Sequence, residues 1–287
     1  MNSQSEEIYE NIPLDEQDAL WDIKQELAEV EEKATNLART LKNSKSYSTK
    51  VYVSGDSVEV YFHITPIQLR DLSSSDTGKY RRSYSKNDNK TPEERLKSRA
   101  KSNIRARNTV KRLIKANFSN GDKFITLTFE KNITDVKEAN KALKNFKKKL
   151  RRLCKNEELK FIDVIEFQER GAIHYHMIVN LDITQGVLEE KWGLGKAEVK
   201  DIYDISKITG YMVKYMNKAS ADERLLGEKI YHCSKGLEKP LELVGDEAME
   251  FLRGKFKNGA DPTFRSHYKN KFTGTPIFYS VCSVNVE

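Results

Sequence analysis

The chain has 287 residues, 32% of them charged, and a formal net charge of +7. That length allows a substantial core in one large domain or two small ones. No apolar run is long enough to span a membrane, no charged-then-apolar signal opens the chain, and the three cysteines, Cys154, Cys233 and Cys282, are scattered and odd in number. This pattern predicts reduced thiols in a cytoplasmic compartment and argues against a disulfide framework or a structural zinc site. The charge is unevenly divided. Residues 1–32 hold eleven acidic residues and one basic, a net of −10, which leaves +17 on residues 33–287. A body that basic favours nucleic acid as its partner.

From Leu14 or Asp15 to about Lys42, Leu20, Ile23, Leu27, Val30, Ala34, Leu37 and Leu41 recur at helical spacing. The stripe could pack on the body, pair with another copy of the chain as a homodimer, or recruit a partner. Residues 50–62 alternate around Ser54-Gly55-Asp56-Ser57 and predict a hairpin, and residues 70–91, rich in Ser, Asp, Lys and Asn, predict a mobile loop. Thr91-Pro92-Glu93-Glu94 is a capping box that opens a helix running to about Ala116. Its charged side includes Arg105, Lys111 and Arg112, placed to meet phosphates. Phe124 to Phe129, FITLTF, predicts a central strand with small hydroxyls interleaved. A helix follows from Thr134 or Asp135, with Val136, Ala139, Leu143, Phe146, Leu150 and Leu153 facing a core and Lys147, Lys148 and Arg151 on its charged side.

Phe161 to Leu181, FIDVIEFQERGAIHYHMIVNL, predicts two strands joined by a tight turn at Gly171. Period 2 points His174 and His176 out of one face and Ile173, Tyr175, Met177 and Val179 out of the other. The bland account of the two histidines is a polar, half-exposed strand face. An acidic residue on the preceding strand favours a metal site instead. A turn with an odd number of residues, such as Arg170-Gly171-Ala172, would set Gln168 opposite His174 and Glu166 opposite His176. An even turn without a bulge would send Glu166 to the core and leave Gln168 or Glu169 as the third ligand.

A short helix at Ile183–Trp192 and a strand at Lys196–Tyr203 come next, and then a helix capped by Ser206 and running from Lys207 to about Ala219. Ile208, Met212 and Met216 form its apolar stripe. Tyr211, Lys214, Tyr215 and Lys218 form a second stripe with no core to face. One account is an aromatic-lysine patch that stacks on bases; the other is a pair of nucleophilic phenols, each followed by a cation. Ile230–Cys233 predicts a strand, residues 246–256 a helix, and IFYSVCSVNV a last strand. No GxxxxGK[ST] segment occurs.

FITLTF, EFQERGAIHYHMIVN and YMVKYMNK, in this order, resemble the three motifs of the HUH endonuclease superfamily, and within it the rolling-circle replication initiators of plasmids and small bacterial phages. IYHCSKGLEKP resembles the segment that follows in plasmid initiators. The resemblance implies an α+β fold: a central five-stranded antiparallel sheet of ferredoxin-like type flanked by helices, here behind an N-terminal helical extension. It implies an extension over 1–46 and an endonuclease domain over 47–287, with the motif core at about 118–240. His174, His176 and Glu166 correspond to the ligands of a divalent metal, Mg²⁺ or Mn²⁺. Tyr211 and Tyr215 match the tyrosines of the YxxxY subclass, with Lys214 and Lys218 as their companions.

The function so implied is nicking and religation of single-stranded or cruciform origin DNA through a covalent 5′-phosphotyrosine, with a free 3′-OH as primer. The setting would be a bacterial host carrying a plasmid, phage or other mobile element, with host helicase and DNA polymerase as partners. A transposase or mobilisation relaxase shares this chemistry. A non-catalytic nucleic-acid-binding protein is the alternative from another class.

Overall fold

The computed structural model describes residues 46–68, 91–154, 158–220, 222–225, 227–256, 262–270 and 274–284. The helix expected over residues 14–42, and nearly all of the loop expected over 70–91, lie outside them. The chain forms two compact units, Met1–Ser85 with Pro240–Glu287, and Lys86–Lys239. The stretch expected as one domain, 47–287, therefore contributes to both, and the motif core belongs almost wholly to the second. Each unit carries a five-stranded antiparallel sheet, so the chain is α+β as expected. No helix among the described residues is long and apolar enough to cross a membrane.

The first unit opens with the expected hairpin, β1 (Ser46–Ser54) and β2 (Ser57–Gln68), closed between Ser54 and Ser57.

The second unit begins with α1 (Pro92–Asn117). Its capping box is formed: Thr91 Oγ1 accepts from the Glu94 N–H at 3.2 Å and Glu94 Oε2 accepts from the Thr91 N–H at 2.9 Å. Then follow β3 (Lys123–Thr128), α2 (Val136–Leu153), β4 (Phe161–Phe167), β5 (Ile173–Val179), α3 (Gln185–Trp192), β6 (Ala197–Asp201), α4 (Ile205–Ser220) and β7 (Tyr231–Cys233). The strands lie in the order β6-β3-β5-β4-β7, every neighbouring pair antiparallel. Central β5 is buried along its whole length. One face of the sheet meets α2 and α3, where Phe146 packs edge-on to Trp192 and the Tyr175 O–H donates to Asn140 Oδ1 at 2.8 Å. The other face meets α4, whose Met212 and Met216 are fully buried, with α1 packed along α4 and Arg107 donating to Asn217. The cap of α4 is Asp204 rather than the expected Ser206: its Oδ1 accepts from the Ser206 and Lys207 N–H groups at 3.0 and 3.1 Å. A carboxylate there also suits the positive end of the helix dipole.

The first unit is completed by β8 (Leu241–Val244), α5 (Gly245–Lys255), β9 (Phe264–Lys269) and β10 (Pro276–Ser283), giving the order β8-β1-β2-β10-β9. A small cluster of Val51, Val58, Ala248 and Cys282 joins α5 to this sheet. β8 and β9 escape the sequence because β8 is short and Phe264-Arg265-Ser266-His267-Tyr268-Lys269 is nearly all exposed, so no apolar face marks it.

One expectation for α2 is corrected. Lys147 is not on the charged outer side: it is 8% exposed, and its Nζ lies 2.8 Å from Oδ2 of the fully buried Asp163. His232 Nδ1 sits 2.8 Å from the other carboxylate oxygen. A buried carboxylate must be compensated, and the long lysine stem reaches inward to do it. Lys147→Met should therefore lower the unfolding free energy by about 3 kcal/mol, read from the urea midpoint, because the remaining carboxylate loses its main charge partner.

Candidate active site

The hairpin of β4 and β5 settles the register that the sequence left open. Glu166 pairs with His174, and Val164 with His176. The connection is residues 168–172, longer by two than the expected 170–172. The parity is odd, so Glu166 shares a face with both histidines, but it opposes His174 rather than His176. Gln168 is drawn into the turn, where its N–H donates to the Ala172 carbonyl at 2.9 Å and its carbonyl accepts from the Gly171 N–H at 2.8 Å. Gly171 has φ +81°, a conformation that favours glycine.

The turn is held from outside. Arg224 Nη1 donates to the Gly171 carbonyl at 2.7 Å, its guanidinium lies 3.9 Å from the centre of the Phe167 ring, and Nη2 reaches Asp222 Oδ2 at 2.6 Å. The hydrogen-bonded Arg224 keeps the Asp222 carboxyl below its usual range. The Ile173 N–H donates to the Ile133 carbonyl at 2.9 Å.

On the site face, Glu166 Oε2 lies 2.7 Å from His176 Nε2. The His176 ring stands between two aromatics. Tyr215 stacks on it almost in parallel, centroids 3.6 Å apart at 6°, and Phe124 lies on a parallel plane at 5.8 Å and 11°. His174 is 7% exposed, and its Nε2 is buried with no hydrogen-bond partner among the described residues. Burial holds the His174 imidazole below its usual pKa, which favours the neutral form. Behind the rings, β3 pairs Thr126 with His176 and Thr128 with His174. Thr126 Oγ1 lies 3.3 Å from His176 Nδ1, and Thr128 Oγ1 lies 3.4 Å from His174 Nδ1.

The end of β3 that carries Thr128 is fixed by the loop after α3. The Thr128 N–H donates to the Lys196 carbonyl at 2.8 Å, the Glu130 N–H to the Leu194 carbonyl at 2.9 Å, and Trp192 Nε1 to the Thr128 carbonyl at 3.0 Å. A Cβ on Gly195 would collide with the backbone of Thr128–Glu130.

The donor set suits a divalent cation: two imidazole nitrogens, one of them buried without a partner, and a carboxylate on the same face. The side chains do not yet converge on a common point. Among the described residues no three His, Cys, Asp or Glu side chains form a ready ligand cluster. Glu166 closes on His176 Nε2 instead, so loading a cation requires that contact to open.

The two tyrosines differ. Tyr215 is half-buried against His176, whereas Tyr211, one turn earlier on α4, is 50% exposed. Lys214 is exposed on the same helix; Lys218 lies on α4, but its side chain is outside the described residues. Tyr175, between the histidines in sequence, faces α2, and burial pushes its phenol well above its usual pKa. It is no candidate nucleophile. The expected DNA-binding residues fall on two sides of the sheet. Arg105, exposed, and Lys111 and Arg112, half-buried, belong to α1 beside α4. Lys148 and Arg151 are exposed on α2, behind the opposite face.

Thr126, Thr128, Phe124 and Arg224 are site residues that the sequence reading missed. The one available signal was the period-2 hydroxyls of FITLTF, which share parity with Phe124. Arg224 lay far from the hairpin in sequence.

The fold and site together define an α+β protein with an imidazole-carboxylate face and a tyrosine-bearing helix laid against it. A family model that describes replication-associated proteins of the ORF2 type matches residues 122–220, from the start of β3 to the last residue of α4. No curated protein and no solved structure matches the chain.

Arg224 offers a structural test. Arg224→Lys keeps the charge but loses the planar fork and the stacking on Phe167. Amide exchange at Gly171 and Ala172 should quicken by about tenfold, equivalent to ~1.4 kcal/mol, while amides of β3 stay protected.

Proposed function

We propose that this chain is an HUH-type replication initiator that nicks and religates single-stranded origin DNA. The observation that carries the reading is the stacking of Tyr215 on His176, beside His174 and Glu166, within the stretch matched by the replication-associated family model. That match favours replication over transposition or mobilisation.

A divalent cation, Mg²⁺ or Mn²⁺, held by His174 Nε2, His176 Nε2 and Glu166 would withdraw charge from a non-bridging phosphate oxygen and make the phosphorus a better electrophile. The rest falls to the chain's own groups. A phenol with pKa near ~10 attacks slowly at neutral pH unless a cation offsets the developing charge. Lys214 and Lys218 supply that charge from the same helix. Tyr215 Oη bonds to phosphorus as the bond from phosphorus to the 3′-oxygen breaks, leaving a 5′-phosphotyrosine and a free 3′-OH for a DNA polymerase, with a host helicase to open the duplex. One phosphodiester replaces another, so the step runs in reverse as ligation. Tyr211, exposed one turn away, takes the second strand transfer.

Incubation with an origin oligonucleotide and Mn²⁺ should yield a covalent adduct visible as a shifted band on a denaturing gel, and EDTA should abolish it. Tyr215→Phe should slow the first cleavage on the order of 10³-fold. Tyr211→Phe should leave it within about threefold and remove the second transfer. Adduct formation at the normal rate in the double Phe variant would sink the mechanism. The DNA strand should run along the face that carries α1 and α4. Arg105→Glu with Arg112→Glu should weaken oligonucleotide binding and flatten its log–log salt slope by about 1.4. Lys148→Glu with Arg151→Glu should leave the cleavage of a short oligonucleotide unchanged.

A further inference from the structure

The hydroxyls behind the histidines are placed too regularly to be incidental. Thr126 and Thr128 stand on the site face of β3, each directly opposite one histidine and each with Oγ1 at that histidine's Nδ1, at 3.3 and 3.4 Å. Neither backbone carbonyls nor carboxylates occupy those places, although such acceptors are the usual partners of a ligand histidine. The difference matters, because a carbonyl or carboxylate only accepts, whereas a hydroxyl both donates and accepts.

The two histidines need different things from that partner. His174 Nε2 is buried without a partner among the described residues. A proton there would be a buried, unsatisfied donor, which is costly. The proton therefore belongs on Nδ1, donated to Thr128 Oγ1, and Nε2 keeps its lone pair. His176 Nε2 faces Glu166 Oε2 at 2.7 Å, a contact that requires a proton between them. In a neutral His176 that proton is on Nε2, so Nδ1 is bare and the Thr126 hydroxyl must donate to it. For Nε2 to bind a cation, the proton must move to Nδ1 and Thr126 must turn its hydroxyl and accept.

We propose that Thr126 and Thr128 are positioning residues that set the histidine tautomers: Thr128 holds His174 ready as a ligand, and the reversible hydroxyl of Thr126 lets His176 exchange its bond to Glu166 for a bond to a cation. This rests on the reading of His174, His176 and Glu166 as a cation site. The exchange moves one proton from Nε2 to Nδ1 by way of solvent and changes no oxidation state. The site's closed form, with Glu166 on His176, is then a resting state rather than a failure to converge.

The test uses the full chain with ¹⁵N-labelled histidine, its ring nitrogens read by NMR without metal, followed by Mn²⁺ titration monitored by EPR. His174 should show Nδ1–H and His176 Nε2–H. Thr128→Val and Thr126→Val keep the side-chain shape and remove the hydroxyl. Each should shift the tautomer signature of its own histidine and weaken Mn²⁺ binding by about 10- to 100-fold. Thr128→Ser and Thr126→Ser should restore both to near wild type, and thermal unfolding identifies any variant that fails for lack of folding. Val variants with unchanged tautomers would overturn the proposal, as would Ser variants that behave like Val. Wild-type protein that takes up no Mn²⁺ would remove the cation reading, and the metal-free tautomers would still decide the role of the threonines.

Discussion

Everything at this site depends on the register of three antiparallel strands. With Thr126 against His176, Thr128 against His174, and Glu166 against His174, all five side chains stand on one face. A slip of one residue would reverse every one of them. The Thr–His contacts do not hold that register, since hydrogen bonds of this length contribute at most about 1 kcal/mol each. The other face does. Ile173, Tyr175, Met177, Ile125 and Leu127 are fully buried there, and exposing each would cost roughly 1.5–3 kcal/mol. The polar face is thus positioned by the apolar one, through strand alternation alone. Gly195 and Arg224 then fix the two strand ends where the core gives least support.

The same sidedness sorts the charges. A chain with +17 on residues 33–287 presents lysines and arginines on most of its helices, so basicity by itself points nowhere in particular. The sheet divides them. α1 and α4 lie on the side of Tyr215 and His176, and α2 lies behind, with one of its lysines spent on neutralising Asp163. A phosphate near the tyrosines meets the field of the first group at short range. The second group is separated from it by a packed sheet and, at physiological salt, by more than the ~8 Å over which exposed charges act. Position relative to the sheet, and not charge density, decides which basic residues can assist phosphoryl transfer.

Much of this was legible in the sequence because it follows from short-range periodicity. The capping box, the alternation in β5, the apolar stripe of α4 and the face shared by Glu166 and the histidines all come from rules of spacing within one element or one hairpin. What escaped had another origin. The turn was longer than expected because Gln168 could close on Ala172, a choice set by the grip of Arg224 on Gly171 from beyond α4. The inward course of Lys147 was set by Asp163, sixteen residues away and fully buried, which no helical wheel includes. β8 and β9 carry no apolar face of their own and exist as strands because β1 and β10 offer them hydrogen bonds. The threonines lay in plain view, but their role needs the register of β3 against β5, which is a long-range fact.

The spacing of the two tyrosines gains meaning from the same geometry. Four residues along a helix rise about 6 Å and come round to nearly the same side. Tyr211 and Tyr215 are therefore neighbours of identical chemistry, yet only Tyr215 reaches the flank of His176, while Tyr211 stays half-exposed. The stacking restrains the Tyr215 ring, so less rotational freedom remains to be lost when it attacks. Tyr211 keeps that freedom. A pair of equivalent nucleophiles would compete for one phosphate. A pair graded in this way, one held at the ligand imidazole and one free a turn away, can act in sequence, because the second has room to receive a strand while the first is still bonded to DNA.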